Sequence, residues 1–215
     1  MIDTKSEMKL RAGDPRVAMM RASRRFYGLG WMVGTAGNLS ARRDDGRIWI
    51  TASGRHKGTL GSPDFVLVDP DGVVAARGLP EDRPSAETTI HLALYRLFPA
   101  AKAVYHVHTV EASVVSDLAG GQDIALPPVE MIKGLGVWDG DPRVSIPVFA
   151  NQPDVPRIAA EIEQRFAANP PAVPALMIHG HGATVWGRTT EAALHHVEVL
   201  EFIFRYMVTS RLVGR

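Results

Sequence analysis

Cysteine is missing from all 215 residues of this chain. Disulfide bonds and thiolate metal ligands are therefore excluded, and the composition fits a reducing compartment. A helix needs about 20 apolar residues to cross a bilayer, and no apolar run in the sequence approaches that length. The first residues are polar and charged and lack the apolar core of a signal peptide. We therefore expect a soluble, cytoplasmic protein.

An excess of charge of either sign is missing as well. Lys and Arg number 24 and Asp and Glu number 23, which gives a formal net charge of +1 at pH 7. This balance gives no reason to expect nucleic acid or a membrane as a partner, although a small anionic ligand remains compatible with it. No linker or composition shift divides the chain, so we expect a single domain over residues 1–215. The sequence leaves open whether residues 1–13 are ordered.

Helical and strand patterns alternate irregularly along the chain. The predicted helices span residues 14–27, 85–98, 110–118, 154–168 and 189–211. The predicted strands follow the turn at residues 34–40 and then span 47–51, 65–68, 73–75, 104–108, 144–149 and 175–178, with an irregular stretch at 122–141. Several of the strands are joined as hairpins. This arrangement predicts a mixed or mostly antiparallel sheet with helices on its faces.

Two histidines lie two positions apart on the predicted strand 104–108. The side chains of His106 and His108 should point to the same face, close enough to bind one cation. A third ligand can come from His179 or His181, which share a face if that strand continues. We favour His181, because it lies between glycines at the end of a strand. Three imidazoles with an open fourth position are typical of catalytic zinc, although two histidines alone can also be part of a half-buried sheet.

Acidic and basic side chains accompany these histidines in the sequence. Glu87 is predicted in the first turn of a helix and can move protons near a metal. His91 lies one turn further along that helix and can support the site. Small residues of three loops can hold an anion through backbone N–H groups, hydroxyls and a helix N-terminus. These residues are Asn38, Ser53, Gly54 and Ser85, with charge from Lys57, Arg55 and His56. Each loop taken alone is more often a simple turn.

Five motifs, in this order, resemble the class II aldolase family, which includes fuculose-phosphate aldolase. The motifs are Gly37-Asn38-Leu39-Ser40, Thr51-Ala52-Ser53-Gly54, Pro84-Ser85-Ala86-Glu87, His106-Val107-His108 and Gly180-His181-Gly182. The resemblance covers roughly residues 15–208. It implies a three-layer α/β/α sandwich with a central, mostly antiparallel sheet, assembled as a homotetramer with sites near subunit interfaces. It also implies one Zn²⁺ per subunit on His106, His108 and His181, and a small sugar-phosphate substrate bound through the anion loops.

Two segments carry a narrower resemblance within the family. Residues 130–134 and 181–187 are similar to the branch that dehydrates 5-methylthioribulose 1-phosphate in methionine salvage. In that branch the glutamate matching Glu130 is the acid/base, whereas in the aldolases it is the one matching Glu87. This chain has both, and we take Glu130 as the first candidate and Glu87 as the second.

Two alternatives to the dehydratase remain open. A zinc-dependent aldolase or epimerase acting on fuculose or ribulose phosphates would use the same metal and phosphate residues. A non-enzymatic interaction module of the adducin type would lack the zinc histidines, and their presence here argues against it.

Overall fold

The computed structural model describes residues 8–139 and 143–214. Residues 1–7, part of the segment whose order the sequence left open, lie outside this range, as do residues 140 and 141 of the predicted irregular stretch. The strands are β1 (Asn38–Arg42), β2 (Ile48–Thr51), β3 (Phe65–Val68), β4 (Val74–Ala76), β5 (Ala103–Val107), β6 (Ile124–Ala125), β7 (Ser145–Ile146), β8 (Val148–Phe149), β9 (Ala175–Ile178) and β10 (Gly182–Gly187). The α-helices are α1 (Pro15–Gly28), α2 (Thr88–Leu97), α3 (Val110–Ala119), α4 (Val155–Ala168) and α5 (Thr190–Leu212). Short 3₁₀ helices include Lys57–Thr59, Ser62–Asp64 and Glu130–Leu135.

Eight of the strands form one sheet in the order β4-β3-β2-β1-β5-β10-β9-β8. Neighbouring strands are antiparallel except β8 and β9, which are parallel. The two remaining strands, β6 and β7, pair with each other outside this sheet. The prediction of a mostly antiparallel central sheet is therefore confirmed.

Helices cover both faces of the sheet. Successive side chains of β5 point to opposite faces, as the strand period requires. Val104 packs in the apolar cluster that contains Ile90 of α2 and Ile158 of α4. Tyr105 packs in the opposite cluster, which includes residues of α1, α3 and α5 such as Phe204. The result is the three-layer α/β/α sandwich that was expected.

The first helix begins where local capping signals place it. The Asp14 side chain accepts a hydrogen bond from the backbone N–H of Arg16, and Pro15 occupies the first helical position. Thr109 and Thr189 cap α3 and α5 in the same way, each accepting from a backbone N–H three residues further on. The predicted starts of these three helices agree with the structure to within one residue.

The second helix begins later than predicted. Its first residue is Thr88, and Glu87 occupies the N-cap position and not the first turn. The segment before it is still attached to the sheet, because the Ser85 N–H donates to the Thr51 carbonyl and Pro84 bridges Ala52. This long-range pairing keeps Ser85 outside the helix and corrects the predicted start.

Three further features differ from the predicted strands and loops. Residues 144–149 form two strands in different sheets, β7 and β8, which are separated by Pro147. Strand β10 was not predicted, because the glycines flanking His181 suggested only a turn. The stretch 122–141, predicted as irregular, contains β6 and the 3₁₀ helix Glu130–Leu135 in its described part.

Candidate metal and phosphate site

A row of polar side chains crosses three central strands. Asn38 of β1 and Thr184 of β10 are both directly opposite His106 of β5. Directly opposed residues of antiparallel strands share a face, so these side chains lie side by side beneath α2. His106 Nδ1 is 2.9 Å from Thr184 Oγ1, and both side chains are fully buried. The sequence analysis did not single out Thr184, because its role depends on the register between β5 and β10.

Four metal-binding side chains converge at the end of this row. Glu87, His106, His108 and His181 each offer one ligand atom, and these atoms lie within 4.8 Å of one another. His106 Nε2 is 2.8 Å from His108 Nε2. The Glu87 oxygens are each 3.3 Å from an imidazole Nε2, Oε1 from that of His181 and Oε2 from that of His106. The cluster thus joins the N-cap of α2, the end of β5 and the turn between β9 and β10.

The ionisation of these groups suits a bound cation. Burial is the main cause that lowers the pKa of His106 to about 4 and that of His108 to about 3, so both imidazoles are neutral at pH 7. Burial also acts to raise the pKa of Glu87. The neighbouring His106 and His181 rings and the Asn38 amide outweigh it and hold that pKa well below its usual range. Neutral imidazoles and an ionised carboxylate are the forms that coordinate metals.

Hydrogen bonding within the cluster also suits a bound cation. The contact with Thr184 occupies Nδ1 of His106 and leaves Nε2 directed at the other ligands. Glu87 Oε2 and His181 Nδ1 are buried polar atoms that have no hydrogen-bond partner among the described residues. Three imidazole nitrogens and one carboxylate oxygen therefore fit a divalent metal ion, which would satisfy the unpaired Oε2 of Glu87.

Two glycines allow the backbone to approach these histidines. A Cβ on Gly182 would lie 2.2 Å from the Val107 carbonyl oxygen and 3.0 Å from Cε1 of His106. Gly37 has a φ of +74°, and a Cβ there would lie 2.8 Å from the His106 carbonyl oxygen. Any larger residue at either position would displace the strand that carries His106.

A cavity of about 160 Å³ lies beside the cluster. Glu87 and His108 form the wall that it shares with the cluster. The remaining wall contains five of the seven residues that the sequence offered for phosphate binding, namely Asn38, Ser53, Gly54, Lys57 and Ser85. A larger cavity of about 400 Å³, lined by residues such as Lys9 and Trp49, shares no lining residue with this one.

Lys57 connects two of the loops that line this cavity. Its side chain is 2% exposed, and Nζ donates to the carbonyl oxygens of Thr35 at 2.7 Å and Arg55 at 2.9 Å. Burial lowers the pKa of Lys57 to about 8, against the opposing influence of Glu87. The other two basic candidates point elsewhere: Arg55 forms an ion pair with Asp82, and the His56 ring packs on Tyr27.

Two candidates from the sequence lie outside the cluster. Glu130 belongs to a 3₁₀ helix, its side chain is 83% exposed, and it accepts a hydrogen bond from Lys133 Nζ at 2.7 Å. His179 has a side chain that is 41% exposed and lies 3.6 Å from Asp117. Of the two histidines left open by the sequence, the structure brings His181 to the cluster and leaves His179 apart from it.

Comparison with known proteins identifies the class to which this fold and cluster belong. The family described as Class II Aldolase and Adducin N-terminal domain matches residues 17–208. The chain is a member of this family. It is 55% identical over 197 residues to the methylthioribulose-1-phosphate dehydratase of Microcystis aeruginosa, covering 92% of this chain and 96% of that protein. The enzyme of the same name from Leptospira biflexa is 43% identical, with 87% and 93% covered.

Solved structures agree with this assignment. YgbL from Escherichia coli, described as a putative aldolase/epimerase/decarboxylase, superposes with a TM-score of 0.77 at 28% identity, covering 91% of this chain and 88% of that one. The l-fuculose-1-phosphate aldolase of Thermus thermophilus superposes with a TM-score of 0.74 at 23% identity, covering 94% and 97%. The predicted family and fold are thus confirmed. Across residues 8–139 and 143–214, no helix is both long and apolar enough to span a membrane.

Proposed function

We propose that this chain is a hydro-lyase of methionine salvage. It removes water from 5-methylthioribulose 1-phosphate and yields 2,3-diketo-5-methylthiopentyl 1-phosphate. The observation that carries the proposal is the placement of the cavity, because five of the seven candidate phosphate ligands line it and Glu87 and His108 form its wall toward the metal cluster. The 55% identity to a dehydratase of this name supports the choice of substrate.

The metal of the proposed enzyme is Zn²⁺, one ion per subunit. His106, His108 and His181 would hold it, with Glu87 as a fourth donor when no substrate is bound. Such an ion supplies Lewis acidity, which polarises a carbonyl oxygen and acidifies the neighbouring C–H bond. Thr184 keeps the His106 ring in the orientation that presents Nε2.

The phosphate residues position the substrate. A phosphate in the cavity is surrounded by the Ser53 and Ser85 hydroxyls, the Asn38 amide and the Gly54 backbone. The buried Lys57 ammonium supplies positive charge, because two of its three N–H groups already bond to carbonyls and one remains for the ligand. Fixing the phosphate at one end of the substrate places its carbonyl and the adjacent carbons beside the histidines.

Dehydration requires the movement of protons at two carbons. The proton on C3 is removed, the C4 hydroxyl leaves and takes up a proton to become water, and the resulting enol tautomerises to the diketone. We assign this proton transfer to Glu130 first and to Glu87 second. Both oxygens of Glu87 face imidazoles. Glu130 forms an exposed ion pair with Lys133, and such a pair contributes little to holding the carboxylate in one orientation.

We also propose a cytoplasmic homotetramer. The resemblance to the class II aldolases supports this assembly. Phe202 and Tyr206 lie one turn apart on α5 and are both substantially exposed, as is Val110 at the start of α3. Apolar side chains in such positions are typical of surfaces that are covered by another subunit.

One experiment on purified protein tests the proposal. Metal content is measured first, and the protein is then incubated with 5-methylthioribulose 1-phosphate while the absorbance of the diketone is followed. We expect about one zinc per chain, as one three-histidine site requires, and turnover that a chelator abolishes. Bound zinc without diketone formation would contradict the dehydratase and leave the metal site intact.

An aldolase or epimerase of the fuculose- or ribulose-phosphate type is the second candidate. The observation that favours it is the position of Glu87, the residue that matches the aldolase acid/base and that lies inside the metal cluster. Incubation with fuculose 1-phosphate or ribulose 5-phosphate separates the two activities. Only an aldolase would release the two carbonyl fragments of a retro-aldol cleavage.

A further inference from the structure

The turn that carries the metal ligand His181 is bonded to a neighbouring helix. Between β9 and β10 the chain reverses over residues 179–181, with a hydrogen bond of 3.1 Å from the His181 N–H to the Ile178 carbonyl. Gly180 has a φ of +59°, the left-handed conformation that glycine adopts readily in such turns. Its N–H donates to Ser116 Oγ of α3 at 2.9 Å. This contact therefore ties the backbone directly before His181 to a distant part of the chain.

The orientation of the Ser116 hydroxyl suits this contact. Ser116 is fully buried, and its Oγ also donates to the Ser113 carbonyl at 2.8 Å. A hydroxyl has one hydrogen to donate and lone pairs with which to accept. Because its hydrogen is used within the helix, Oγ meets the turn as an acceptor, which is the role that the Gly180 N–H requires. Both hydrogen bonds of Ser116 are thus compatible, and together they fix the hydroxyl.

Helix α3 connects two metal ligands that lie far apart in the sequence. The helix starts directly after His108, where Thr109 caps it by accepting from the Ala112 N–H. About two helical turns further on, Ser116 bonds to the turn that contains His181. The His108 and His181 rings lie with their centroids 4.4 Å apart. The same helix is therefore attached to both residues, to the first through the chain and to the second through Ser116.

A second side-chain contact between α3 and this turn is weaker. His179 Nε2 is 3.6 Å from Asp117 Oδ1, and both side chains are substantially exposed. Exposed ion pairs of this kind are worth about 0–1 kcal/mol. The contact of Ser116 is shorter, and its side chain is fully buried. Of the two contacts, the one at Ser116 is therefore better able to fix the turn.

We infer that Ser116 is a positioning residue whose Oγ, by accepting a hydrogen bond from the Gly180 N–H, holds His181 where it completes the metal cluster with His106 and His108. Ser116 acts through the backbone of the turn, as groups behind metal ligands commonly act through the ligand that they orient. The inference rests on the metal cluster of the proposed function and does not depend on the identity of the substrate.

The zinc affinity of the folded protein, measured by competition with a chromophoric chelator, tests this role. We expect Ser116→Ala to bind zinc about tenfold more weakly, the lower end of the effect of removing a group behind a metal ligand. Ser113→Ala is the matched control, because it removes from the same helix a hydroxyl that bonds to the Thr109 carbonyl and not to the turn. Asp117→Ala removes the weaker contact. Both controls should bind zinc like the wild type.

A purely structural role gives a different result. A side chain that only packs α3 would lower the stability of Ser116→Ala toward denaturant and leave the zinc affinity of the folded variant unchanged. That outcome would overturn the inference, and so would an equal loss of affinity in Ser113→Ala or Asp117→Ala. Circular dichroism checks that each variant is folded before zinc is added.

Amide hydrogen exchange gives a readout that needs neither a variant nor a metal, so it remains available if Ser116→Ala does not fold. In zinc-free wild-type protein the Gly180 N–H should exchange slowly although Gly180 is exposed, because it is bonded to Ser116. Unprotected exchange at Gly180 would overturn the inference. Wild-type protein that binds zinc without turnover would refute only the dehydratase, whereas wild-type protein that binds no zinc would refute both.

Discussion

His106 and Thr184 face each other on adjacent strands, and Thr184 Oγ1 lies 2.9 Å from Nδ1 of the imidazole. This contact determines which nitrogen of His106 is available to a metal. It also shows that the metal cluster is built into the centre of the sheet, because both residues are fully buried. A group that orients a metal ligand in this way is as much a part of the site as the ligand itself.

Thr184→Val should weaken metal binding without unfolding the protein. Valine has nearly the shape of threonine and lacks the hydroxyl, so Nδ1 of His106 loses its contact with Thr184 Oγ1. We expect zinc affinity to fall about 10–100-fold, as measured by chelator competition. Thr184→Ser keeps the hydroxyl and should bind zinc like the wild type. Equal affinities for the valine and serine variants would contradict this role.

His106→Ala should remove the metal, and His179→Ala should not. His106 is buried in the cluster, whereas His179 is partly exposed and lies beside Asp117. We expect zinc to fall from about one ion per chain to nearly none in the first variant only, since two imidazoles rarely suffice for a catalytic site. Circular dichroism checks that both variants are folded. Normal zinc content in His106→Ala would refute the ligand assignment.

Glu130→Gln should reduce turnover alone, whereas Glu87→Gln should reduce both turnover and zinc binding. Glu130 lies outside the cluster, so its substitution should leave zinc content unchanged and reduce kcat by about 10²–10⁴-fold, the usual contribution of a general acid or base. Glu87 contacts two of the histidines, so its substitution should weaken zinc binding as well. Full activity in Glu130→Gln would contradict the first assignment and indicate that Glu87 transfers the proton.

Phosphate binding should depend on the charge of Lys57. Because the pKa of Lys57 in the folded protein is lowered to about 8, the ammonium loses its proton as the pH rises through that value. We expect KM for the phosphorylated substrate to rise above about pH 8. In Lys57→Met it should be higher by about tenfold and should no longer show that rise, since a charged hydrogen bond is lost. Lys102→Met, which changes an exposed lysine, is the matched control.

The same pKa shift has a consequence for stability. Between about pH 8 and the ordinary lysine pKa of 10.5, the unfolded chain holds a proton on Lys57 that the folded chain has lost. The free energy of unfolding therefore gains a contribution that increases with pH in this window. Comparing denaturant unfolding of the wild type and Lys57→Met at pH 7.5 and 10 measures it. An equal pH dependence in both proteins would contradict the lowered pKa.

Local signals predicted the parts of the fold that depend on neighbouring residues. The start of α1 follows from Asp14 and Pro15, and the shared face of His106 and His108 follows from the period of a strand. The start of α2 was predicted too early because Ser85 is attached to Thr51, which lies 34 positions earlier by residue number. No pattern within residues 85–98 reveals that contact.

Residue order and motifs were enough to predict the family, the mostly antiparallel sheet and five of the residues that line the cavity. Each of these follows from residue order, spacing and motif, which are local properties. The three-dimensional structure was needed to show that His181 and not His179 joins the cluster and that Thr184 contacts His106. These relationships depend on strand register and on the packing of α2 against the sheet, and they join residues far apart in the chain.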